Sequence, residues 1–127
     1  MIKSELEQLI AEKRARVGVI GLGYVGLPLI VEFCTNGFSG IGFEVDGNKV
    51  NEINAGRSYI SDVPTERLKA CVDDGKLEAT TDFSRLGDCD VIIICVPTPL
   101  RKTKDPDMSF ILAAGGEIQK YMRHGQL

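Results

Sequence analysis

Residues 17–29 read Val-Gly-Val-Ile-Gly-Leu-Gly-Tyr-Val-Gly-Leu-Pro-Leu, and this stretch decides the fold. An apolar, β-rich run over 17–20 leads into Gly21, Gly23 and Gly26, and an apolar pattern with helical spacing follows. This order predicts a strand, a tight turn and a helix. In such a turn the first glycine permits the bend, the second lets a pyrophosphate approach the backbone, and the third lets the helix pack on the strand. The stretch therefore predicts a dinucleotide-binding turn.

An acidic residue lies where that motif requires one. Glu44 closes the strand-like run 41–43, eighteen positions after Gly26. An acid at about this distance binds the hydroxyls of the adenosine ribose. Because its negative charge would repel a 2′-phosphate, the sequence predicts NAD rather than NADP as the cofactor. Asp46 is a rival acid, which we interpret as the N-cap of the next helix.

Length and composition predict one domain that binds neither nucleic acid nor membrane. The chain has 127 residues, 43% of them apolar, and a net charge of −3, whereas binding to nucleic acid requires a basic face. No apolar run approaches the ~20 residues that span a bilayer. The first 16 residues carry charges on most helical turns and lack the apolar centre of a signal peptide.

The cysteine pattern argues against a metal site. Cys34, Cys71, Cys89 and Cys95 include no CxxC pair, and the chain has a single histidine. Cys34 and Cys95 fall in apolar segments, where we expect small core residues. Such thiols are typical of a reducing compartment, and we expect a cytoplasmic protein.

Hydrophobic periodicity predicts a Rossmann-like α/β domain. A short amphipathic helix over 1–15 precedes a dinucleotide-binding domain over 16–127. Within it we predict strands at about 16–21, 40–45, 77–80 and 91–96, and helices at about 24–36, 46–56, 65–72 and from Ser109 to Gly125, with a helical turn after residue 82. Right-handed crossovers give a parallel sheet in the order 3-2-1-4, which is incomplete for a doubly wound fold.

The ligand crevice of such a sheet lies where the strand order reverses, between strands 1 and 4. The run 91–96 is unbroken and apolar, which favours a strand buried on both faces. It leads to Pro97-Thr98-Pro99, where Thr98 faces either the crevice or a plain turn. Lys49, one helical turn beyond Glu44, either contacts the ribose or is an exposed lysine. The basic residues of 101–104 are either solvated or near a substrate phosphate.

Three stretches together resemble the N-terminal domain of the UDP-glucose/GDP-mannose dehydrogenases. They are residues 17–29, Cys-Val-Pro-Thr-Pro-Leu at 95–100 and Pro-Asp-Met-Ser-Phe-Ile at 106–111. The proline-threonine-proline loop and the connector around Tyr59-Ile60 look most like the branch that acts on UDP-N-acetylglucosamine or UDP-N-acetylmannosamine. The similarity extends from about Arg16 to the end of the chain.

The resemblance implies NAD-dependent oxidation of the C6 alcohol of a nucleotide sugar to a carboxylate, in two hydride transfers through a thiohemiacetal on a cysteine. A role in polysaccharide biosynthesis follows from such a product. The residues that the motifs assign to NAD are Gly21, Leu22, Gly23, Tyr24, Val25, Gly26, Glu44, Lys49, Val96, Pro97 and Thr98.

Two departures from the family pattern matter. The family usually has aspartate at the position of Glu44, whose longer side chain should still reach the ribose. The family's catalytic lysine and its Gly-x-Cys segment have no counterpart in these residues, so we expect a cofactor-binding part that is inactive alone and meets its UDP-sugar substrate mainly through another domain.

We also expect the strand at 91–96 to form an edge that self-associates or is covered by the N-terminal helix.

Two other readings remain open at this point. A non-catalytic nucleotide-sensing domain or a hydroxyacid-type dehydrogenase would share the glycine turn and the acid. Neither reading explains the stretches at 95–100 and 106–111.

Overall fold

The computed structural model describes residues 2–127, which alternate between helices and parallel strands. In chain order the elements are α1 (Ile2–Ala11), β1 (Arg16–Ile20), α2 (Gly26–Thr35), β2 (Ser39–Phe43), α3 (Gly47–Asn54), α4 (Thr65–Asp73), β3 (Leu77–Thr80), a 3₁₀ helix (Phe83–Asp88), β4 (Val91–Ile94) and α5 (Ser109–Tyr121).

The four strands form one parallel sheet in the order β3-β2-β1-β4, which confirms the predicted topology. β1 lies between β2 and β4, and its last residue, Ile20, is in register with Phe43 of β2 and Ile94 of β4. The carboxyl ends of these strands therefore meet at one edge of the sheet. The loops that follow them are brought together there.

Successive side chains along a strand point to opposite faces of the sheet, so the strands contribute to a hydrophobic core on each face. Val17 and Val19 of β1 pack with the cluster that includes residues of α2, α3 and α4. Ile20 packs on the opposite side with Phe43, the 3₁₀ helix and Ala114 of α5. Helices thus cover both faces, as a parallel sheet requires.

Two helix ends follow the predicted local signals, and one does not. Asp46 caps α3, because its carboxylate accepts a hydrogen bond from the backbone N–H of Asn48 at 2.9 Å, so the predicted N-cap is confirmed. Gly37 follows the end of α2 with a φ of +97°, a conformation that favours glycine. At the other end of the chain α5 stops at Tyr121, four residues before the Gly125 that was predicted to close it.

β4 differs from the prediction in length and in burial. It ends at Ile94 rather than at residue 96, and none of its four residues is fully buried. Ile94 is 41% exposed. The prediction of a strand buried on both faces was therefore wrong, whereas the expectation that this strand forms an edge is confirmed, because β4 lies at the end of the strand order.

The outer edge of β4 is partly paired by the last residue of the chain. Leu127 donates to the carbonyl oxygen of Asp90 at 3.0 Å and accepts from the N–H of Ile92 at 2.7 Å. This is the hydrogen-bond pattern of a parallel strand. Arg123 holds the preceding turn in place, since its guanidinium donates to the carboxylate of Asp90 and to the carbonyl oxygen of Gly87 at 2.8 Å each.

α1 lies at the amino end of the sheet, away from the loops that follow the strands. It shares a small cavity of about 110 Å³ with Asp90 and residues 123–125. Its apolar stripe therefore faces the turn that precedes Leu127. Among residues 2–127 no helix combines the length and hydrophobicity needed to cross a bilayer.

Candidate functional site

The three glycines of the turn after β1 occupy three different environments. Gly21 has a φ of +94°, and a Cβ there would lie 2.7 Å from the carbonyl oxygen of Cys95. A Cβ on Gly26 would lie 1.7 Å from the carbonyl oxygen of Gly21. A Cβ on Gly23, in contrast, would have no protein atom within 4 Å. The first glycine makes the bend, the third permits the close packing, and the second faces open space where a ligand can approach.

The same turn presents hydrogen-bond donors at the start of α2. Among the residues that the structure describes, the backbone N–H groups of Gly23, Tyr24 and Val25 have no protein acceptor. The Tyr24 and Val25 side chains are also exposed, at 80% and 68%. Free N–H groups at the positive end of a helix dipole bind anions. This arrangement fits the pyrophosphate of a dinucleotide.

Glu44 connects the end of β2 to the glycine turn. One carboxylate oxygen accepts from the N–H of Leu22 at 3.3 Å, and the other accepts from the N–H of Asp46 at 2.9 Å. The residue is 9% exposed. Because each carboxylate oxygen can accept a second hydrogen bond, Glu44 retains the capacity to bind two ribose hydroxyls.

Lys49 of α3 lines the same cleft as Glu44 and lies over an aromatic ring. Its ammonium nitrogen is 5.6 Å from the centroid of the Tyr59 ring, within the range of a cation–π interaction. The Tyr59 hydroxyl donates to the carbonyl oxygen of Leu22. The connector between α3 and α4 therefore contacts both the glycine turn and Lys49.

The glycine turn, Glu44 and Lys49 line a cleft of about 890 Å³ at the carboxyl edge of the sheet. Its walls come from the turn after β1, the loops after β2, β3 and β4, and one face of α5. The lining residues are Ile20, Gly21, Leu22, Gly23, Tyr24, Val25, Phe43, Glu44, Val45, Asp46, Lys49, Thr81, Phe83, Cys95, Val96, Pro97, Phe110, Ala113, Ala114 and Glu117.

Most of the residues that the motifs assign to the cofactor line this cleft, with two exceptions. Gly26 is buried beneath the turn, and Thr98 is exposed one residue beyond the lining. The sequence interpretation missed the wall that α5 and the loop after β3 provide, including Phe83 and Glu117. The part of this wall after β3 could have been predicted from the strand order, because all strands of a parallel sheet end at the same edge.

Cys95 differs from the other cysteines in its access to the cleft. It lines the cleft and is half-buried, whereas Cys34, Cys71 and Cys89 are buried. Burial raises the pKa of the Cys34 thiol to about 12 and that of Cys89 to about 11. Burial also raises the pKa of Cys95. A raised pKa reduces the thiolate fraction at neutral pH, so all three are weak nucleophiles.

We expect a thiol reagent at pH 8 to modify Cys95 before the other cysteines, and NAD to slow that modification because a dinucleotide bound in the cleft would cover the thiol. The rate should rise with pH, since more thiolate forms as the pH approaches the raised pKa. Peptide mass spectrometry after timed alkylation measures the order. The Cys95→Ser variant is the control, and early modification of Cys89 in the folded parent would contradict the expectation.

The fold and the cleft define a dinucleotide-binding domain. A glycine turn with free N–H groups, an acid at the end of β2 and a crevice at the point where the strand order reverses are the features of that class.

Residues 15–127 match the model of the UDP-glucose/GDP-mannose dehydrogenase family, NAD binding domain, and the chain belongs to this family. The family consists of NAD-dependent oxidoreductases, and NAD is the cofactor of this domain. The resemblance inferred from residues 17–29, 95–100 and 106–111 is confirmed.

Several relatives are similar along almost the whole chain. A UDP-N-acetyl-D-mannosamine dehydrogenase of Pyrococcus horikoshii is 35% identical over 113 residues, covering 88% of this chain and 27% of the relative. A UDP-N-acetyl-D-glucosamine 6-dehydrogenase of Pseudomonas aeruginosa is 34% identical over 115 residues, covering 91% and 26%. The chain thus spans about a quarter of the length of these relatives.

A solved structure supports the same fold. The crystal structure of a ternary complex of GDP-mannose dehydrogenase from Pseudomonas aeruginosa superposes with a TM-score of 0.82 at 36% identity, covering 86% of this chain and 26% of that one.

Proposed function

We propose that the cleft binds NAD with its adenosine ribose on Glu44 and its pyrophosphate on the N–H groups that follow Gly21. The observation that carries this proposal is the difference between Gly23 and Gly26. The Cβ position of Gly23 opens onto free space, whereas that of Gly26 is filled by the backbone of the same turn. An open Cβ position lets a pyrophosphate approach the backbone at Gly23, and the filled one at Gly26 shows where the helix packs closely on the strand.

Two further residues complete the proposed site. Lys49 lines the same cleft as Glu44, and we propose that its ammonium group contacts the adenosine ribose. Thr98 follows the end of β4, and we propose that its hydroxyl and backbone approach the nicotinamide half. Its position next to Val96 and Pro97, which line the cleft, supports this role.

We propose that the reaction served by this domain is the oxidation of the C6 alcohol of a UDP-N-acetylhexosamine to a carboxylate with two NAD. The names of the relatives support a nucleotide-sugar substrate. This chain would supply the cofactor-binding part, and the substrate would be held mainly by another domain. The buried positions of Cys34, Cys71 and Cys89 do not suit a nucleophile that must reach a sugar.

Calorimetric titration of the 127-residue chain with NAD and with NADP tests the proposed site. We expect saturable binding of NAD and at least ~10-fold weaker binding of NADP, because the 2′-phosphate would meet the Glu44 carboxylate. ADP should compete with NAD, since it carries the adenosine and the pyrophosphate. Equal affinity for the two dinucleotides would contradict the proposed position of the ribose.

We further propose that two copies of the chain associate through the outer edge of β4. Leu127 pairs with the amino half of that edge, through Asp90 and Ile92. The N–H groups of a strand alternate in direction, so Ile94 directs its N–H to the same outer side. An apolar strand edge of this kind favours pairing with another strand.

Sedimentation velocity over a range of concentrations tests the association. We expect the parent chain to form dimers and Ile94→Lys to shift it toward monomer, because a lysine on an edge strand opposes pairing. Ile10→Lys is the matched control, since Ile10 is 40% exposed on α1 and Ile94 is 41% exposed. A parent that sediments as a monomer at every concentration would overturn this proposal.

A cytoplasmic location is also proposed. It is supported by four free cysteines in a chain with no disulfide among the residues described, as is typical of a reducing compartment.

A further inference from the structure

Leu22, between the first two glycines of the turn, has both backbone polar groups bound by side chains. Its N–H donates to Glu44 at 3.3 Å, and its carbonyl oxygen accepts from the Tyr59 hydroxyl. Its own side chain is fully buried. The turn is therefore fixed from two sides, by the end of β2 and by the connector between α3 and α4.

The bond from Tyr59 determines the direction of a donor in the turn. The carbonyl of Leu22 and the N–H of Gly23 belong to one planar trans peptide, so the two groups point in opposite directions. An anchored carbonyl oxygen therefore fixes the direction of the Gly23 N–H. That N–H has no protein acceptor among the residues described, and Gly23 lines the cleft.

The ring of Tyr59 makes a second contact, with Lys49, which lines the cleft. The Lys49 ammonium lies 5.6 Å from the ring centroid, and Lys49 and Glu44 line the same cleft. A lysine on a flexible four-carbon stem loses rotamer freedom when it binds. An aromatic ring that holds the ammonium before the ligand arrives reduces that loss.

The connector holds Tyr59 itself in place. Ser58 and Ile60 are linked by two hydrogen bonds, since the Ser58 hydroxyl donates to the Ile60 carbonyl oxygen at 2.9 Å and accepts from its N–H at 3.2 Å. The Ile60 side chain is buried in the core. Burial and the nearby carboxylates of Glu44 and Asp46 raise the pKa of Tyr59. The hydroxyl therefore stays protonated and can donate at neutral pH.

We propose that Tyr59 is a positioning residue of the dinucleotide site, which orients the Leu22–Gly23 peptide toward the pyrophosphate and holds Lys49 at the adenosine end. This inference rests on the proposed function, because it assigns a role within the same cleft. The hydroxyl orients the Leu22–Gly23 peptide, and the ring holds the Lys49 ammonium group. Separate substitutions can therefore remove the two contributions one at a time.

The test is a set of NAD titrations of the full chain with Tyr59→Phe, Tyr59→Leu and Lys49→Met, alone and combined. We expect Tyr59→Phe to weaken NAD binding about 3- to 10-fold, the range of one neutral hydrogen bond. Lys49→Met should weaken binding by the same factor in the parent and in Tyr59→Phe, because both retain the ring. In Tyr59→Leu the same substitution should have a smaller effect.

Hydrogen exchange without ligand provides a second measurement. We expect faster exchange of the amides in the turn at 22–26 in Tyr59→Phe, with unchanged protection in β1 and β2. Tyr121→Phe is the matched control, because Tyr121 lies on α5 outside the cleft. It should leave both the NAD affinity and the exchange of the turn unchanged.

The outcomes separate this inference from the proposed function. A parent chain that does not bind NAD would contradict the proposed function, and the inference with it. A parent that binds NAD, with Tyr59→Phe equal to it in affinity and in exchange of the turn, would overturn only the role of Tyr59. Independent effects of Tyr59→Leu and Lys49→Met would overturn the part that concerns the lysine.

Discussion

Gly26→Ala is expected to destabilise the fold and abolish NAD binding, whereas Gly23→Ala is expected to weaken NAD binding without destabilising the fold. A Cβ on Gly26 would lie 1.7 Å from the carbonyl oxygen of Gly21. That atom belongs to the backbone of the turn, so the clash can be relieved only by moving the turn or α2. We expect a loss of about 3 kcal/mol or more in the free energy of unfolding, at the upper end for overpacking.

Gly23→Ala is the matched substitution in the same turn. Its Cβ would have no protein atom within 4 Å, and the residue does not have a positive φ. We expect the free energy of unfolding to change by less than about 1 kcal/mol. The new methyl group would occupy the space proposed for the pyrophosphate, so NAD affinity should fall at least ~10-fold, which corresponds to about 1.4 kcal/mol.

Chemical denaturation and calorimetric titration of both variants measure the two effects separately. A stable Gly26→Ala variant that binds NAD would show that the turn can shift without loss. A Gly23→Ala variant with the affinity of the parent would place the pyrophosphate elsewhere.

Glu44→Ala is expected to give the largest loss of affinity among the side chains of the cleft. The substitution removes the proposed acceptor of the ribose hydroxyls together with the acceptor of the Leu22 and Asp46 N–H groups. Hydrogen bonds to a charged group contribute about 1.5–3 kcal/mol each. The loss of even one such bond makes NAD bind at least ~10- to 100-fold more weakly, and we expect the preference over NADP to decrease because the repelling charge is gone.

Asp46→Ala tests which of the two acids after β2, Glu44 or Asp46, binds the ribose. Asp46 caps α3 through the N–H of Asn48, so its loss should lower the free energy of unfolding by about 1 kcal/mol. Its effect on NAD affinity should be much smaller than that of Glu44→Ala. Titration of both variants with NAD decides between them, and a larger loss for Asp46→Ala would reverse the assignment of the ribose ligand.

Local sequence patterns predicted the helices, the strands and their order, because each helix or strand is specified by residues that are close together in the sequence. The glycine spacing at 21, 23 and 26, the cap at Asp46 and the strand at 77–80 are all encoded within a few residues. Alternating strands and helices with right-handed crossovers then allow few topologies, which is why the order 3-2-1-4 followed. Several element ends differ from the prediction, by up to four residues, because hydrogen bonding, not periodicity, determines where a helix or strand stops.

The burial of β4 shows where such patterns are insufficient. Val91 to Ile94 are all apolar, a composition that predicts burial on both faces. Their exposure depends on whether another strand pairs with the outer edge. Leu127 pairs with only part of that edge, a fact that depends on the path of the chain after α5.

The sequence by itself determined the class of this domain, because the dinucleotide turn requires glycines at fixed spacing and an acid at a fixed distance along the chain. Only the tertiary structure decided how the site is held together. Leu22 is bound on one side by Glu44 and on the other by Tyr59, which lies 37 residues away. The wall formed by α5 likewise comes from the other side of the sheet. Contacts between residues so distant in sequence leave no periodic pattern, and they become visible only when the strands bring their carboxyl ends together.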